Sequence, residues 1–344
     1  MRRFQARRVT NVAPNPPSPR SGRATAARAA YVVACIIACF AAVASAQTYP
    51  VKTVRVVVPF APGGGIDLVA RIISQRLQEN IGQSFIVDNR PGGGGIVGSE
   101  VVATARADGY TLLAVPISHA ANVSLTKLSF DPIADFAPIV HIASAPNVVL
   151  VHPSLPVKTI GEFTRLARQH PGQLSYASSG NGSSTHLAAE LFKMLAKVDL
   201  LHVPYKGGGL ALTDLLGGQV SMYIASLPAA MPHVRSGKLK GLAVTSTARA
   251  NALPDMPTVA EAGVSGYEYV GWYGMLAPAG TASAILDRLN VETNKILRQP
   301  PVVEKLAADG AQPVGGTPGQ FGEHIRNEIA KWAQVVAHAR MRAD

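Results

Sequence analysis

The chain has 344 residues, with 32 basic against 21 acidic side chains for a net charge of +11, and two cysteines. That charge would suggest a nucleic-acid partner, but seven arginines and no acidic residue fall within residues 1–28; past residue 46 the count is 25 basic to 21 acidic, about +4, and the nucleic-acid reading loses its support. Cys35 and Cys39 both lie in the same leader, so the rest of the chain has no thiol with which to build a disulfide, a cysteine metal site or a cysteine nucleophile.

The basic leader runs into the apolar stretch AAYVVACIIACFAAV. This is short of the roughly 20 residues a membrane span needs. Ala44-Ser45-Ala46 ahead of Gln47 has the small-x-small form of a cleavage site. Residues 1–46 therefore read as a secretory signal peptide; Cys39, which follows a small residue, leaves lipidation open as an alternative. The remainder is long enough for two lobes of about 100–150 residues each.

After the leader, strand-like and helix-like stretches alternate. VRVVVPF is a β-branched run of the kind buried in parallel sheets. Ile66, Val69, Ala70, Ile73 and Leu77 follow at helical spacing. SFIVDN is a strand, a helix is expected around Ser99–Arg106, and YTLLAV is a third strand. This βαβαβ order predicts a parallel sheet with right-handed crossovers, hence an α/β fold. Another strand is expected at Pro146–Ser154, and a T-x-x-E capping box at Thr159 and Glu162 opens a helix. QLSYASSG, DLLHVPY, VSMYIA and LKGLAVTS read as strands. SSTHLAAELFKMLAK reads as a helix with Leu187, Leu191, Met194 and Leu195 inward, and ALTDLLGG as a shorter one. Two long amphipathic helices close the chain, the last with Phe321, Ile325, Ile329, Trp332 and Val336 on its apolar face.

Four strand-to-helix turns are dressed alike. Gly63, Gly64 and Gly65 strip the Cβ atoms from the first, so that backbone N–H groups can converge on a small anion where a helix begins. Open α/β sheets bind ligands at that end of their strands. Asp67, in the same turn, stands open between a helix cap and a ligand contact. The second turn contains a literal G-x-G-x-x-G at Gly93, Gly95 and Gly98, but YTLLAV ends in Pro116, Ile117 and Ser118 without the acidic residue a dinucleotide site requires. The third, Ser178–Thr185, offers hydroxyls as well as helix N–H groups; His186 and Glu190 have no third partner for a metal, so none is expected. The fourth ends a strand with Tyr205, Lys206 and three glycines. Similar turns in both halves of the chain suit a two-lobed clamp. Catalytic signatures are missing: there is no G-x-S-x-G and no H-E-x-x-H, and SLTK lacks the companion motifs of an S-x-x-K enzyme. Ser183 and His186 are the one tempting nucleophile–base pair, with no orienting acid in view.

Six segments in order carry a family resemblance: YPVKTVRVVVPFAPGGGIDLVAR, VDNRPGGGGIVGSEVVATARADGYTLL, GQLSYASSGNGSSTHLAAE, VPYKGGG with DLLGGQV, LAVTS with LPDMPTVAEAG, and GWYGMLAPAGT. Over residues 49–340 the chain resembles the Bug receptors, the TctC-type substrate-binding proteins of tripartite tricarboxylate transporters. The resemblance implies a non-catalytic, periplasmic solute receptor with a type II periplasmic-binding-protein fold. Its two α/β lobes, residues 49–147 plus 268–344 and residues 148–267, would be joined by two crossover strands, with hinges near Pro146–Val149 and Gly266–Gly271. It implies a small organic acid or amino acid as ligand, no cofactor, a monomer, and delivery to integral-membrane transporter subunits; the alternatives are an orphan receptor signalling to a membrane partner and, after it, an exported enzyme on the same fold. Mapped onto this chain, the first lobe's contacts would be Phe60, Ala61, Gly63, Gly64, Gly65, Asp67, Ser118, His119 and Asn122. The second lobe's would be Ser178, Ser179, Gly180, Gly182, Ser183, His186, Tyr205 and Lys206, with Trp272 and Tyr273 walling the cleft. Many relatives carry an acidic residue shortly before the LPA turn, where this chain has Ala225 and Ser226. If that acid meets an amino group, this chain should prefer a ligand without one.

Overall fold

A computed structural model describes residues 49–339, with Ala13 in isolation; the expected signal peptide lies outside the described residues. The Val54–Val58 run forms β1, flanked on both sides by parallel strands, β2 (Phe85–Asn89) and β3 (Thr111–Pro116), with Val56 opposite Val87 and Leu112. Such a strand is covered on both faces, and its four valines are fully buried. Helix α1 (Gly65–Ile81) buries Ile66, Val69, Ala70, Ile73 and Leu77 as their spacing predicts, and stops at Gly82, whose left-handed backbone donates its N–H to Gln78 O. Helix α2 (Ile96–Ala103) begins earlier than expected, directly after a 3-10 turn at Gly93–Gly95. Helix α3 (Ser118–Leu125) had no amphipathic signal; it follows β3 at once and buries five consecutive residues, Ser118 to Asn122.

The largest departure from expectation is β4. The strand expected at Pro146 is the second half of a 16-residue strand, Phe136–Val151. Its first half pairs antiparallel with β9 (Val270–Pro278) and β10 (Gln312–Gly315). Its second half pairs with β7 (Met222–Ser226) and β8 (Lys240–Val244). Partners change between Pro146, opposite Val270, and Asn147, opposite Ser226. Pro138, His141 and Ser144 hid the first half, because they break the apolar alternation; the ladder absorbs them with register shifts at Pro138/Val140 and His141/Ala143.

Beyond this handover lies the second half-sheet, in which β5 (Ser175–Ser178) is parallel to both β6 (Leu201–Pro204) and β7. Helices α4 (Ile160–Gln169), α5 (Ser184–Ala196), α6 (Gly208–Leu216) and α7 (Leu227–Arg235) join and cover these strands. Thr159 caps α4 by accepting from Glu162 N–H, while the Glu162 carboxylate takes Lys158 N–H, one residue earlier than a capping box would have it. The buried face of α5 is Leu187, Ala188, Ala189, Phe192 and Ala196; Leu191, Met194 and Leu195 are only half-buried, one step round the helix from their expected place. The chain then returns through β9 to the first half-sheet, where α8 (Ser283–Ile296), α9 (Pro300–Ala308) and α10 (Pro318–Ala339) pack. Phe321, Ile325, Trp332 and Val336 of α10 are buried. The result is the expected fold class: two α/β lobes joined by crossover strands, with strand order β2-β1-β3-β9-β4-β7-β5-β6 and with β8 and β10 also on β4.

Candidate ligand-binding cleft

Helices α1, α5 and α6 begin where the two lobes face each other, at Gly65, Ser184 and Gly208. The caps of α1 and α6 are Gly64 and Gly207, and neither supplies a side-chain cap. Their first-turn N–H groups are thus presented without the oxygen that Ser, Thr or Asp would place there. Helix α5 differs, since Ser183 Oγ accepts from His186 N–H at 3.3 Å.

Between these termini is a space of about 30 Å3. Phe60, Gly64, Gly65, Ile66 and Pro116 bound it from the first lobe, with Tyr273 on β9; Ser179, Ser184, Thr185, Gly208, Tyr223 and Ser226 bound it from the second. No charged side chain lines it among the described residues. Hydroxyls supply the polarity. Ser179 Oγ lies 3.1 Å from Tyr223 OH and accepts from Thr185 Oγ1 at 3.1 Å. Burial pushes the Tyr223 phenol up, and burial likewise raises Tyr273 to about 12, so both stay protonated donors. Backbone approach is as close as it can be: a Cβ on Gly65 would collide with Ser226 Oγ and Tyr273 OH.

Glycine also lets the lobes touch outside this space. Ala61 N–H donates to Lys206 O across the cleft at 3.0 Å. A Cβ on Gly209 would strike Pro62 O, and one on Gly94 would strike Asn181 O. Farther out, Arg235 Nη2 reaches Ala308 O at 2.9 Å. The lobes are therefore in contact along the glycine loops, and a multi-atom ligand enters only when they part.

The expected site residues fall into separate places. Phe60, Gly64, Gly65, Ser179 and Tyr273 meet at the central space. Ala61, Gly63, Gly182 and the Lys206 backbone form the lobe contacts around it, and the Lys206 side chain is exposed. Ser118, His119 and Asn122 line a different space of about 10 Å3 beside Pro59 and Phe130. There His119 Nε2–H donates to Pro132 O at 2.9 Å, and burial holds the ring neutral with a pKa of about 4. Asn122 Nδ2 donates to Gly94 O at 3.2 Å, tying α3 to the second glycine turn. Tyr205 turns away from the cleft and donates to Asp214 Oδ2 at 2.6 Å.

Asp67 is part of the loop's scaffold. Its Oδ2 accepts from Gly63 N–H and from Arg71 Nε, each at 3.0 Å, and its Oδ1 accepts from Asn89 Nδ2 at 2.9 Å. Asn89 Nδ2 also reaches Phe60 O. Burial pushes this carboxyl up, but the Arg71, Gly63 and Asn89 hydrogen bonds outweigh it and hold it below the usual range. Trp272 differs from Tyr273 because neighbouring residues of a strand point to opposite faces. Its indole N–H donates to Glu328 Oε2 at 3.0 Å on α10, among Phe321 and His324. The Ser183 hydroxyl is engaged with His186 N–H and Thr185 Oγ1, whereas the His186 imidazole takes Gly182 N–H on Nδ1. Serine and histidine therefore meet through a helix cap and not as nucleophile and base.

Tyr223 was missed as a lining group, while Gly208, in the fourth glycine turn, and Ser226, in the stretch before the LPA turn, were singled out in the sequence without being placed among the contacts. A signal for Ser226 existed: it is the last residue of β7, immediately before α7, the same strand-to-helix position that marked the other turns.

The family model described as "Tripartite tricarboxylate transporter family receptor" (TctC) matches residues 69–341. Protein BugT of Bordetella pertussis is 38% identical over 299 residues, covering 86% of this chain and 92% of that protein. A solved R. palustris protein with adipate is 40% identical with a TM-score of 0.83, over 86% of this chain and 99% of that one. MatC from Rhodopseudomonas palustris with bound malate is 35% identical with a TM-score of 0.81, over 84% of this chain and all of that one.

Proposed function

This chain belongs to the tripartite tricarboxylate transporter receptor family, and we propose that within it the protein captures a small linear dicarboxylate lacking an amino group. It is a solute receptor of the periplasmic-binding type. One observation carries the finer reading: helix N-termini from both lobes meet at a space lined by hydroxyls and, among the described residues, by no charged side chain. A carboxylate at each end of a short chain would take N–H groups from α1 on one side and hydroxyls with the start of α5 on the other. Hydrogen bonds to a charged group contribute about 1.5–3 kcal/mol each, and a helix terminus adds about 0.3–1 kcal/mol. Fixed dipoles in a space closed to water suffice without an arginine.

The lining also excludes. An ammonium group enclosed here would meet N–H groups and hydroxyls, with Ala225 and Ser226 in the stretch where many relatives hold an acid. An unpaired buried charge is strongly disfavoured. The adipate and malate of the two solved relatives are dicarboxylates without amino groups, which supports the same class here.

In this reading residues 1–46 direct export to the periplasm and are removed. Lobes of residues 49–147 plus 268–344 and of 148–267 close about the β4 handover. The closed surface is then offered to integral-membrane transporter subunits, while the receptor itself stays monomeric. A thermal-shift screen of Gln47–Asp344 against mono-, di- and tricarboxylates and amino acids tests it, because a ligand bound only by the folded state raises the midpoint by mass action. Stabilisation by adipate or malate, with none by aspartate or glutamate, is the expected result. Stabilisation by the amino acids and not by their deaminated analogues would sink it.

A further inference from the structure

Behind the second-lobe loop stands a stack of three rings from three elements. His202 on β6 lies 4.7 Å from the Tyr176 ring of β5 and 4.4 Å from the His186 ring of α5, centroid to centroid, at interplanar angles of 10° and 13°. His202 does not line the central space. Its Nε2 is 2.7 Å from the hydroxyl of Ser178, a fully buried residue. That hydroxyl accepts from Gly180 N–H at 3.1 Å, and in the tautomer that leaves His202 Nε2 bare its own hydrogen goes to that nitrogen. Two residues on, Gly182 N–H donates to His186 Nδ1 at 3.2 Å. Both glycine amides of the loop thus end on an imidazole nitrogen, one through a hydroxyl and one directly. Gly180 and Gly182 have φ of +127° and +71°, a conformation only glycine adopts cheaply, so the loop's shape depends on such anchors. The same loop sets Ser179 and Thr185 at the central space and meets Gly94 and Asn122 of the first lobe.

We propose that His202 is a positioning residue of this loop: as a neutral ring accepting from Ser178 and stacked on His186, it fixes the Gly180 amide and through it both the ligand-facing hydroxyls and the lobe contact. A proton on Nε2 would turn the acceptor into a donor and strand the Ser178 hydrogen in a buried site. The groups facing the ring are Tyr176 from β5, His186, Glu190 and Lys193 from α5, with Glu190 accepting from Tyr176 OH at 2.5 Å and from Lys193 Nζ at 2.8 Å. Burial, with the charges of His186 and Lys193, outweighs Glu190 and brings the His202 pKa down to about 4. The ring is therefore neutral at ordinary pH, and the loop loosens in acid.

The proposal rests on the cleft being the ligand site, so its first readout uses no ligand. Amide hydrogen exchange of Gly180 and Gly182 is followed from pH 7 to pH 4 in the mature chain. Wild-type protection of Gly180 is expected to fall about tenfold further than in His202→Gln, whose side-chain carbonyl accepts from Ser178 without titrating. Carboxylates titrate alike in both proteins and cancel. Ser178→Ala, which keeps the stack, should already lack that protection at pH 7. Affinity for adipate is then measured by calorimetry over the same range: wild type weakens toward acid, His202→Gln holds its neutral value, and Ser178→Ala is about tenfold weaker at pH 7. Equal protection and equal pH profiles in the three proteins overturn the proposal. If adipate binds none of them, the dicarboxylate reading fails, and hydrogen exchange still decides the role of His202.

Discussion

The glycine loop of the first lobe and the serine loop of the second do one task with different chemistry. The first is held by charge: Asp67 takes Gly63, Arg71 and Asn89 on a carboxylate kept ionised. The second is held by neutral acceptors, Ser178 with His202 and the Nδ1 of His186. The difference appears in their response to acid. The Asp67 contribution is complete above the ordinary aspartate value of 3.8 and is lost only as pH falls through its lower folded value. The His202 contribution is complete above the ordinary value of 6.5 and erodes as pH falls toward about 4. In the interval from 6.5 to 4 the His202 anchor weakens and the Asp67 anchor does not. A binding site can thus be firm on one wall and yielding on the other without any charged residue facing the ligand.

The largest expected effect is at Gly65. Gly65→Val drives a branched side chain into Ser226 and Tyr273, and affinity for adipate should fall more than about a hundredfold by calorimetry. Ser226 stands on the opposite lobe but Tyr273 on the same one, so the thermal midpoint of the ligand-free protein should fall as well. Next comes the clamp. Asp67→Ala leaves Gly63 and Asn89 without their acceptor and should cost about 2–3 kcal/mol in denaturant unfolding, the half-exposed Arg71 adding little. It should also remove the stability decline below pH 4 that the carboxylate causes. Tyr273 and Trp272 then separate affinity from stability. Tyr273→Phe is expected to weaken adipate binding about tenfold with the midpoint nearly unchanged, whereas Trp272→Phe should lower stability by about 1–2 kcal/mol and leave affinity alone. Equal behaviour of the two would contradict the alternation seen along β9. The smallest effect is at Ser183, where Ser183→Ala removes the α5 cap and should cost about 1 kcal/mol in chemical denaturation.

Much of the fold could be read in advance where local pattern and tertiary role coincide. β1 is all β-branched because it is buried on both faces, and α1 carries its stripe because one face meets the sheet. The reading failed where neighbours determine the outcome. The first half of β4 has no alternation because Pro138, His141 and Ser144 interrupt it and only the neighbouring strands absorb the shifts, and α7 was hidden by Pro228 and Pro232, although a proline near a helix start fits the missing donor. In the site, glycine loops were legible because glycine at a strand end has few other reasons to be there. Tyr223 and His202 were not, because a tyrosine or histidine in a strand gives no sign of which hydroxyl lies beside it.

By itself the sequence determined the α/β class, the four strand-to-helix turns and the six ordered segments that carry the family resemblance. These follow from periodicity, glycine and short motifs, all of which act over a few residues. Only the tertiary structure decided that Asp67 clamps a loop, that Tyr273 and not Trp272 faces the cleft, and that His202 stands behind Ser178. Each of these depends on contacts between residues tens of positions apart, such as the 24 that separate Ser178 from His202. A chain's local pattern cannot encode which distant donor and acceptor the sheet will bring to 3 Å.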